Sequence, residues 1–272
     1  MKATLLLGIL ALCCAVAFVS CRREEAELSA VPVPPGPVSE AILGKIRQLG
    51  FNATNVQAIP GGFLVEGDIV LTQATLDEVP DHELLRAGDE EHYRTNSLVY
   101  TGGAPRTITV SLASTLSANT CYSNALNAAI IRYNNQGLLL RFQRVTSGGN
   151  INVISGSGNY LAVSGFPANG NPYPQITLNL GTLGTCPASG YLTTVLTHQL
   201  GHCIGFRHTD SADPSFSCGA GSYSNDGSGT VGGTTVGLPH APEPNSWMLT
   251  CLGAGQDRPF TADDRAALTY LY

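Results

Sequence analysis

His198-Gln199-Leu200-Gly201-His202-Cys203-Ile204-Gly205-Phe206-Arg207-His208 is the stretch on which the fold and the chemistry of this 272-residue chain turn. It has the form H-Q-x-x-H-x-x-G-x-x-H. His198 and His202 stand four apart, so on a helix both imidazoles lie on one face, one turn above the other. Gly205 follows three residues later, where a helix must stop; glycine accepts φ > 0 there without steric cost. The turn can return His208 as a third nitrogen ligand. Three His ligands leave a tetrahedral Zn²⁺ one open position for water, the catalytic rather than the closed structural arrangement. Residues 105–272 hold four histidines, and three of them fall in this register.

The pattern resembles the long zinc motif of the metzincins, H-E-x-x-H-x-x-G-x-x-H, which is followed by a Met-turn. The words Thr197-His198-Gln199-Leu200-Gly201-His202 and Gly205-Phe206-Arg207-His208-Thr209-Asp210 resemble more narrowly the dual-action HEIGH metallopeptidases of Bacteroidetes-type bacteria. Ser246-Trp247-Met248, forty residues past His208, is the candidate Met-turn, with Met248 as the hydrophobic floor beneath the metal. The resemblance is good over residues 106–272 and loose before them. It implies an α+β fold: a metzincin-like catalytic domain with a twisted, mostly parallel sheet, a backing helix, an active-site helix and a C-terminal subdomain, preceded by a small α/β N-terminal module. It also implies a Zn²⁺ cofactor on His198, His202 and His208 and a peptide or protein substrate.

Position 199 departs from the motif. The motif Glu is the general base that takes a proton from metal-bound water, and a Gln amide has no titratable acceptor. Gln199 therefore weakens or abolishes catalysis unless another carboxylate substitutes. Glu243, the only Glu among seven carboxylates in residues 105–272, is the candidate, five residues before Met248. Tyr223 and Tyr270 are candidates for stabilising an oxyanion. The alternative reading is a pseudopeptidase that keeps zinc and binds peptides or glycoproteins at the cell surface. A third is a surface lipoprotein whose zinc only holds the fold.

Working outward, residues 1–20 read as a signal peptide, with Lys2 ahead of an apolar run too short to span a membrane permanently. Phe18-Val19-Ser20-Cys21 resembles a lipobox, making Cys21 the lipidated residue of a protein anchored to the bacterial cell envelope, or a secreted one if that cysteine is incidental. Residues 21–38, with Pro32, Pro34, Pro35 and Pro37, form a stiff tether. Residues 22–104 carry thirteen acidic against six basic side chains, whereas residues 105–272 carry seven of each and no Lys. An acidic pro-segment or accessory module, 39–104, thus precedes a neutral domain, 105–272. Neither has the basic patch that nucleic acid requires, and a monomer is expected. Charged residues are only 12% of the chain, against about 25% typically, as a surface rich in Ser, Thr, Asn and Gly entails.

The module is expected to run as a helix capped by Ser39, two strands (Asn55 to Ile59 and Phe63 to Leu71) around Pro60-Gly61-Gly62, and an acidic helix from Leu76 to Arg86. It has no Cys to place on the zinc. Asp81, His82, Asp89 and His92 are the groups nearest the catalytic domain that can reach a metal, although solvated polar side chains are the simpler reading. In the domain, strands are expected at Thr107 to Leu112, Leu138 to Val145, Ile151 to Ile154 and Gln175 to Leu180. Helices are expected at Thr120 to Asn135, Tyr191 to Ile204 and Thr261 to Tyr272. The Gly/Ser/Asn-rich stretch from Ser211 to Gly237 reads as a surface loop, and Asp210, Asp213 and Asp226 match no EF-hand spacing. Beyond Cys21, five cysteines remain in an exported chain, so disulfides are expected with at least one thiol left over. Cys203 points away from the metal face and reads as core or disulfide.

Overall fold

The computed structural model describes residues 37–77, 92–223 and 242–272, together with the backbone of 85–86, 230–231 and 234–235. The signal segment, Cys21 and the tether up to residue 36, Asp81, His82, Asp89 and Asp226 lie outside the described residues. No helix among the described residues is long and apolar enough to cross a membrane.

The N-terminal module begins with α1 (Glu40–Gln48), where Ser39 accepts from the Ile42 N–H as expected of an N-cap. A three-stranded antiparallel sheet follows: β1 (Gln57–Ile59), β2 (Gly62–Val65) and β3 (Ile69–Leu71). The single strand expected from Phe63 to Leu71 is therefore two. Glu66 (φ 51°) and Gly67 (φ 86°) turn the chain, and Val65 pairs with Ile69. Helix α2 is short, Gln73–Leu76. Leu85–Arg86 is strand β4, paired with β5 (Tyr93–Arg94), instead of the end of an acidic helix. Ile46, Phe51, Val65, Ile69, Leu71 and Leu76 close a small core, with Phe166 packed against it.

The larger domain carries a five-stranded sheet of β6 (Arg106–Leu112), β7 (Leu140–Val145), β8 (Ile151–Gly156), β9 (Ala162–Val163) and β10 (Gln175–Asn179). The order is β7-β6-β8-β10-β9, and every pairing is parallel except that of β9 with β10. The mostly parallel sheet, backing helix, active-site helix and Met-turn expected of the fold are all present. The short α3 (Ser114–Ser117) leads into the backing helix α4 (Thr120–Asn134), capped by Asn119, whose side chain accepts from the Cys121 N–H. Alternate residues of β6 (Ile108, Val110, Leu112) share one core with Leu126, Ile130 and Tyr133 of α4. After β10 come α5 (Leu180–Leu183) and the active-site helix α6 (Ser189–Ile204). Residues 191–204 of α6 are all buried. A helix buried all round has no wet face, so its Thr193, Thr194 and Thr197 hydroxyls donate back to Ser189, Gly190 and Thr193 carbonyls.

The rest of the chain folds as α7 (Ser215–Cys218), the two-residue strands β11 (Thr230–Val231) and β12 (Thr234–Thr235), and α8 (Ala262–Leu271). Thr261 caps α8 in a reciprocal box with Asp264. Disulfides join Cys121 to Cys186 and Cys218 to Cys251, while Cys203 is a free, buried thiol, the core reading of the two expected. Asp210 is wholly structural: it accepts from the Thr250 backbone and hydroxyl and from Ser217, tying the loop after His208 to the residues after the Met-turn.

Candidate metal centre

Helix α6 ends at Gly205, which is left-handed at φ 114°. A Cβ there would also stand 2.6 Å from Leu98 Cδ2. Glycine is thus required both by the turn and by the approach of the segment 93–98. That segment holds the ligand loop in place: Arg207 N donates to Tyr93 O at 2.9 Å and Thr95 N to Gly205 O at 2.9 Å. The turn brings His208 back beside His198 and His202, with ring centroids 4.6 to 5.3 Å apart.

Each imidazole is oriented through Nδ1. His198 Nδ1 lies 2.7 Å from Trp247 O and His202 Nδ1 lies 2.8 Å from Phe206 O. A carbonyl only accepts, so both Nδ1 atoms carry a proton and both Nε2 atoms face inward. His208 Nδ1 meets Glu66 Oε2 at 2.9 Å. Such outer partners fix the tautomer and direction of metal-binding histidines.

The fourth group is Asp68, in the turn between β2 and β3. Its Oδ2 is 2.8 Å from His198 Nε2 and 3.4 Å from His202 Nε2; its Oδ1 is 3.1 Å from His208 Nε2. One atom from each of the four residues lies within 4.8 Å of the others. Asp68 Oδ1, His202 Nε2 and His208 Nε2 are buried without a hydrogen-bond partner, and one cation among them would satisfy all three at once. Three imidazole nitrogens and a carboxylate oxygen suit a borderline divalent ion such as zinc. Burial pushes His202 down to about 4, which keeps its lone pair available. Burial opposes the charged form of His208 too, but the Asp68 and Glu66 carboxylates outweigh it and raise its pKa to about 10. Asp68 is held well below its ordinary range, because the neighbouring imidazoles overcome the cost of burial.

The Met-turn lies where the motif needs it. Met248 is fully buried, and a Cβ added to Gly201 would stand 2.6 Å from its Sδ and 3.1 Å from Trp247 Nε1. Gly201 is what lets the turn approach between the two helical ligands. Trp247 N donates to Asp264, whose other oxygen is 2.9 Å from His92 Nε2. His92 therefore reaches no metal, nor is it solvated as the simpler reading had it: it is buried behind the Met-turn.

Gln199 is 2% exposed. Its Oε1 accepts from Ser164 Oγ at 2.7 Å and its Nε2 donates to Asp68 Oδ2 at 2.9 Å. Glu243 is placed differently from the substitute base expected of it. Its carboxylate accepts from the backbone and side chain of Asn245, in the loop before the Met-turn. It is absent from the metal-facing cluster among the described residues. Tyr223 does approach the centre: a Cβ on Gly67 would lie 3.6 Å from its hydroxyl. Burial, with Glu66 and Asp68 nearby, raises its pKa far above the usual phenol value. Tyr270 is 63% exposed on α8 and takes no part.

The N-terminal module is bolted to this centre. Ser164 N donates to Asp68 O at 3.1 Å and Val70 N to Ser164 O at 2.7 Å. Residues 68–70 thereby extend the sheet past β9. The buried Arg207 donates to the Leu49 and Gly50 carbonyls and stacks 3.9 Å over the Phe51 ring. Glu66 Oε1 accepts from Asn52 N. Beside the centre, a small pocket is walled by Leu161, Val195, Leu249 and Leu252 and reaches His198, Gln199 and Asp68.

Asp68, Glu66 and Ser164 escaped the sequence reading as members of this architecture. Only the Glu66-Gly67-Asp68 triplet, a turn signal inside an apolar run, offered a clue.

No curated protein sequence matches this chain. Among solved structures, one of myroilysin is 18% identical, covering 64% of this chain and 97% of its own, with a TM-score of 0.42. A second, a crystal structure of myroilysin, is 16% identical over 72% of this chain and 96% of its own, with a TM-score of 0.39. The family model described as dual-action HEIGH metallo-peptidase matches residues 63–272, from the strand before Asp68 to the C-terminus. With three converging histidines, a Met-turn and that match, the chain belongs to the dual-action HEIGH metallopeptidases, bearing His198-Gln199-Leu200-Gly201-His202 where the family's name spells H-E-I-G-H.

Proposed function

We propose that the protein is a zinc-dependent metalloendopeptidase of metzincin type, tethered to the bacterial cell envelope through Cys21 and slow in turnover because of Gln199. The observation that carries the zinc reading is the convergence of the His198, His202 and His208 Nε2 atoms, each imidazole oriented through Nδ1. Zinc in this setting supplies a Lewis acid for the scissile carbonyl and lowers the pKa of water at the open position. The chain's own residues do the rest. Once residues 68–70 leave Ser164, a peptide extends along the edge of β9 by strand addition. The pocket beside His198 takes an apolar side chain of the substrate. Tyr223, whose hydroxyl stands beside Gly67, is the donor to a developing oxyanion once Asp68 is out of the way. Gln199 orients water through its amide but accepts no proton, and the rate is lowered accordingly.

The test is zinc content and peptide turnover in the full chain. About one zinc per chain with slow, chelator-sensitive cleavage of casein supports this reading. One zinc per chain with no cleavage of a broad peptide library favours the second reading, a pseudopeptidase that binds peptides or glycoproteins at the surface. The observation in favour of that second reading is that the Gln199 amide is committed at both ends, to Ser164 and to Asp68. For the anchor, Cys21→Ser should release the protein from the membrane fraction or block its processing; equal solubility of both forms speaks for plain secretion.

A further inference from the structure

We propose that Gln199 is the positioning residue of an internal plug: its amide holds the Asp68 carboxylate as the fourth group on the three-histidine centre, so that the glutamine at the base position and the aspartate in the N-terminal turn act as one device. The inference rests on the metallopeptidase reading of the centre.

Three observations carry it. First, the Gln199 side chain has only one way round. Ser164 Oγ donates to Oε1, and Asp68, as a carboxylate, only accepts, so Nε2 must face Asp68. A glutamate at 199 would put two carboxylate oxygens about 2.9 Å apart, where two negative charges do not coexist comfortably. Gln fits the plugged centre, and Glu fits an unplugged one.

Second, the turn that delivers Asp68 is built and held from several sides. Glu66 is a non-glycine residue at φ 51°, a conformation that persists where surroundings impose it. Those surroundings are His208 Nδ1 and Asn52 N on the Glu66 carboxylate. Ser164 serves twice: its backbone fixes Asp68 O and Val70 N, and its hydroxyl sets the Gln199 amide.

Third, residues 68–70 occupy the hydrogen-bonding groups of Ser164 just beyond β9, where an extended peptide would begin to pair. The plug therefore covers both the fourth coordination position and the sheet edge.

The experiment uses the full chain loaded with zinc, and the probe is a peptidyl hydroxamate, which needs the open coordination position. Its dissociation constant is measured by calorimetry for wild type, Asp68→Ala, Gln199→Glu and the double variant; Asp68→Asn repeats the first change with volume kept. A cobalt-loaded set gives the visible spectrum of the fourth ligand directly.

The expected result is tight probe binding to both single variants, stronger than to wild type by about 10- to 100-fold, the worth of one hydrogen bond to a charged group. In the Asp68→Ala background Gln199→Glu should change the cobalt spectrum no further, and should raise probe affinity less than it does with Asp68 present, by only the direct hydrogen bond of Glu to the hydroxamate, because opening the centre is one shared equilibrium. Ser164→Ala should open the centre partway by freeing the amide, and should do nothing once Glu stands at 199. If Gln199→Glu leaves probe affinity and cobalt spectrum unchanged, or changes probe affinity equally with and without Asp68, the plug does not depend on Gln199 and the proposal is overturned. Peptide turnover by the double variant is scored separately. An open centre that cleaves nothing leaves the plug standing and removes the peptidase reading.

Discussion

His198 and His202 are oriented by backbone carbonyls of their own domain, those of Trp247 and Phe206, whereas His208 is oriented by a carboxylate from the N-terminal module. The first arrangement comes with the fold of residues 92–272 and cannot be lost without unfolding it. The second depends on a side chain, Glu66, 142 residues away in sequence. Residues 92–272 thus orient two of the three candidate ligands by themselves and share the orientation of the third. A module that merely covered the cleft would need Asp68 alone. This one also brings Glu66 to His208 Nδ1 and, at 3.9 Å, to the buried Arg207 guanidinium, so its removal would expose more than a water site.

The comparison can be broken most severely at the ligands themselves. His202→Ala should abolish stoichiometric zinc binding, as read by elemental analysis after dialysis, since it takes the fully buried imidazole out of the cluster and leaves a void where the remaining donors were oriented around it. Retention of one zinc per chain would mean that the ion sits elsewhere.

Next in size is the clamp between the loop after His208 and the Met-turn. The Cys218–Cys251 disulfide spans 33 residues. Replacing both cysteines by serine should lower unfolding stability by about 3 kcal/mol, measured by denaturant titration. An unchanged midpoint would show that the Asp210 bonds to Thr250 and Ser217 suffice alone.

Glu66→Gln sharpens the contrast between the two ligands oriented within residues 92–272 and the third. It keeps the shape and removes the charge that His208 Nδ1 meets, so zinc affinity should fall by about 10- to 100-fold by competition with a chromogenic chelator. Equal affinity would put His208 on the same footing as the other two.

The smallest effect is expected at Thr261→Ala. It removes one half of the box that presents Asp264 to Trp247 and His92, and should cost about 1 kcal/mol with zinc affinity kept. A loss of zinc there would show that the Met-turn needs its capping network.

How much of this was legible depends on how local the signal was. Helix α6 carries its own ligand spacing and its own stop at Gly205, and the α4 and α8 caps sit next to what they cap. These elements are found within a residue or two of where sequence places them. The error at residues 63–71 has a physical cause. Phe63, Val65, Ile69 and Leu71 keep the same parity on either side of Glu66-Gly67-Asp68, so a three-residue turn leaves the period-2 pattern intact. Nearness in sequence to the catalytic domain singles out Asp81, His82, Asp89 and His92 as the groups of the module able to face a metal. Asp68 meets His198 from 130 residues away, through a sheet pairing at Ser164 that no local pattern announces. Glu243 looks suitable for the same reason: it is near Met248 in sequence, but its loop spends the carboxylate on Asn245.

Trp247, whose carbonyl orients His198, is the only tryptophan in the chain and is 1% exposed. Its indole donates to the Tyr133 hydroxyl, contacts Phe206 and Phe260, and lies 5.0 Å from the His92 ring. All indole fluorescence of this protein therefore originates one residue from the floor of the metal centre, in a dry aromatic cage. Its emission should be blue-shifted in the folded chain and move to the red when the cage opens, so the integrity of the Met-turn can be followed by light alone, without label or substrate.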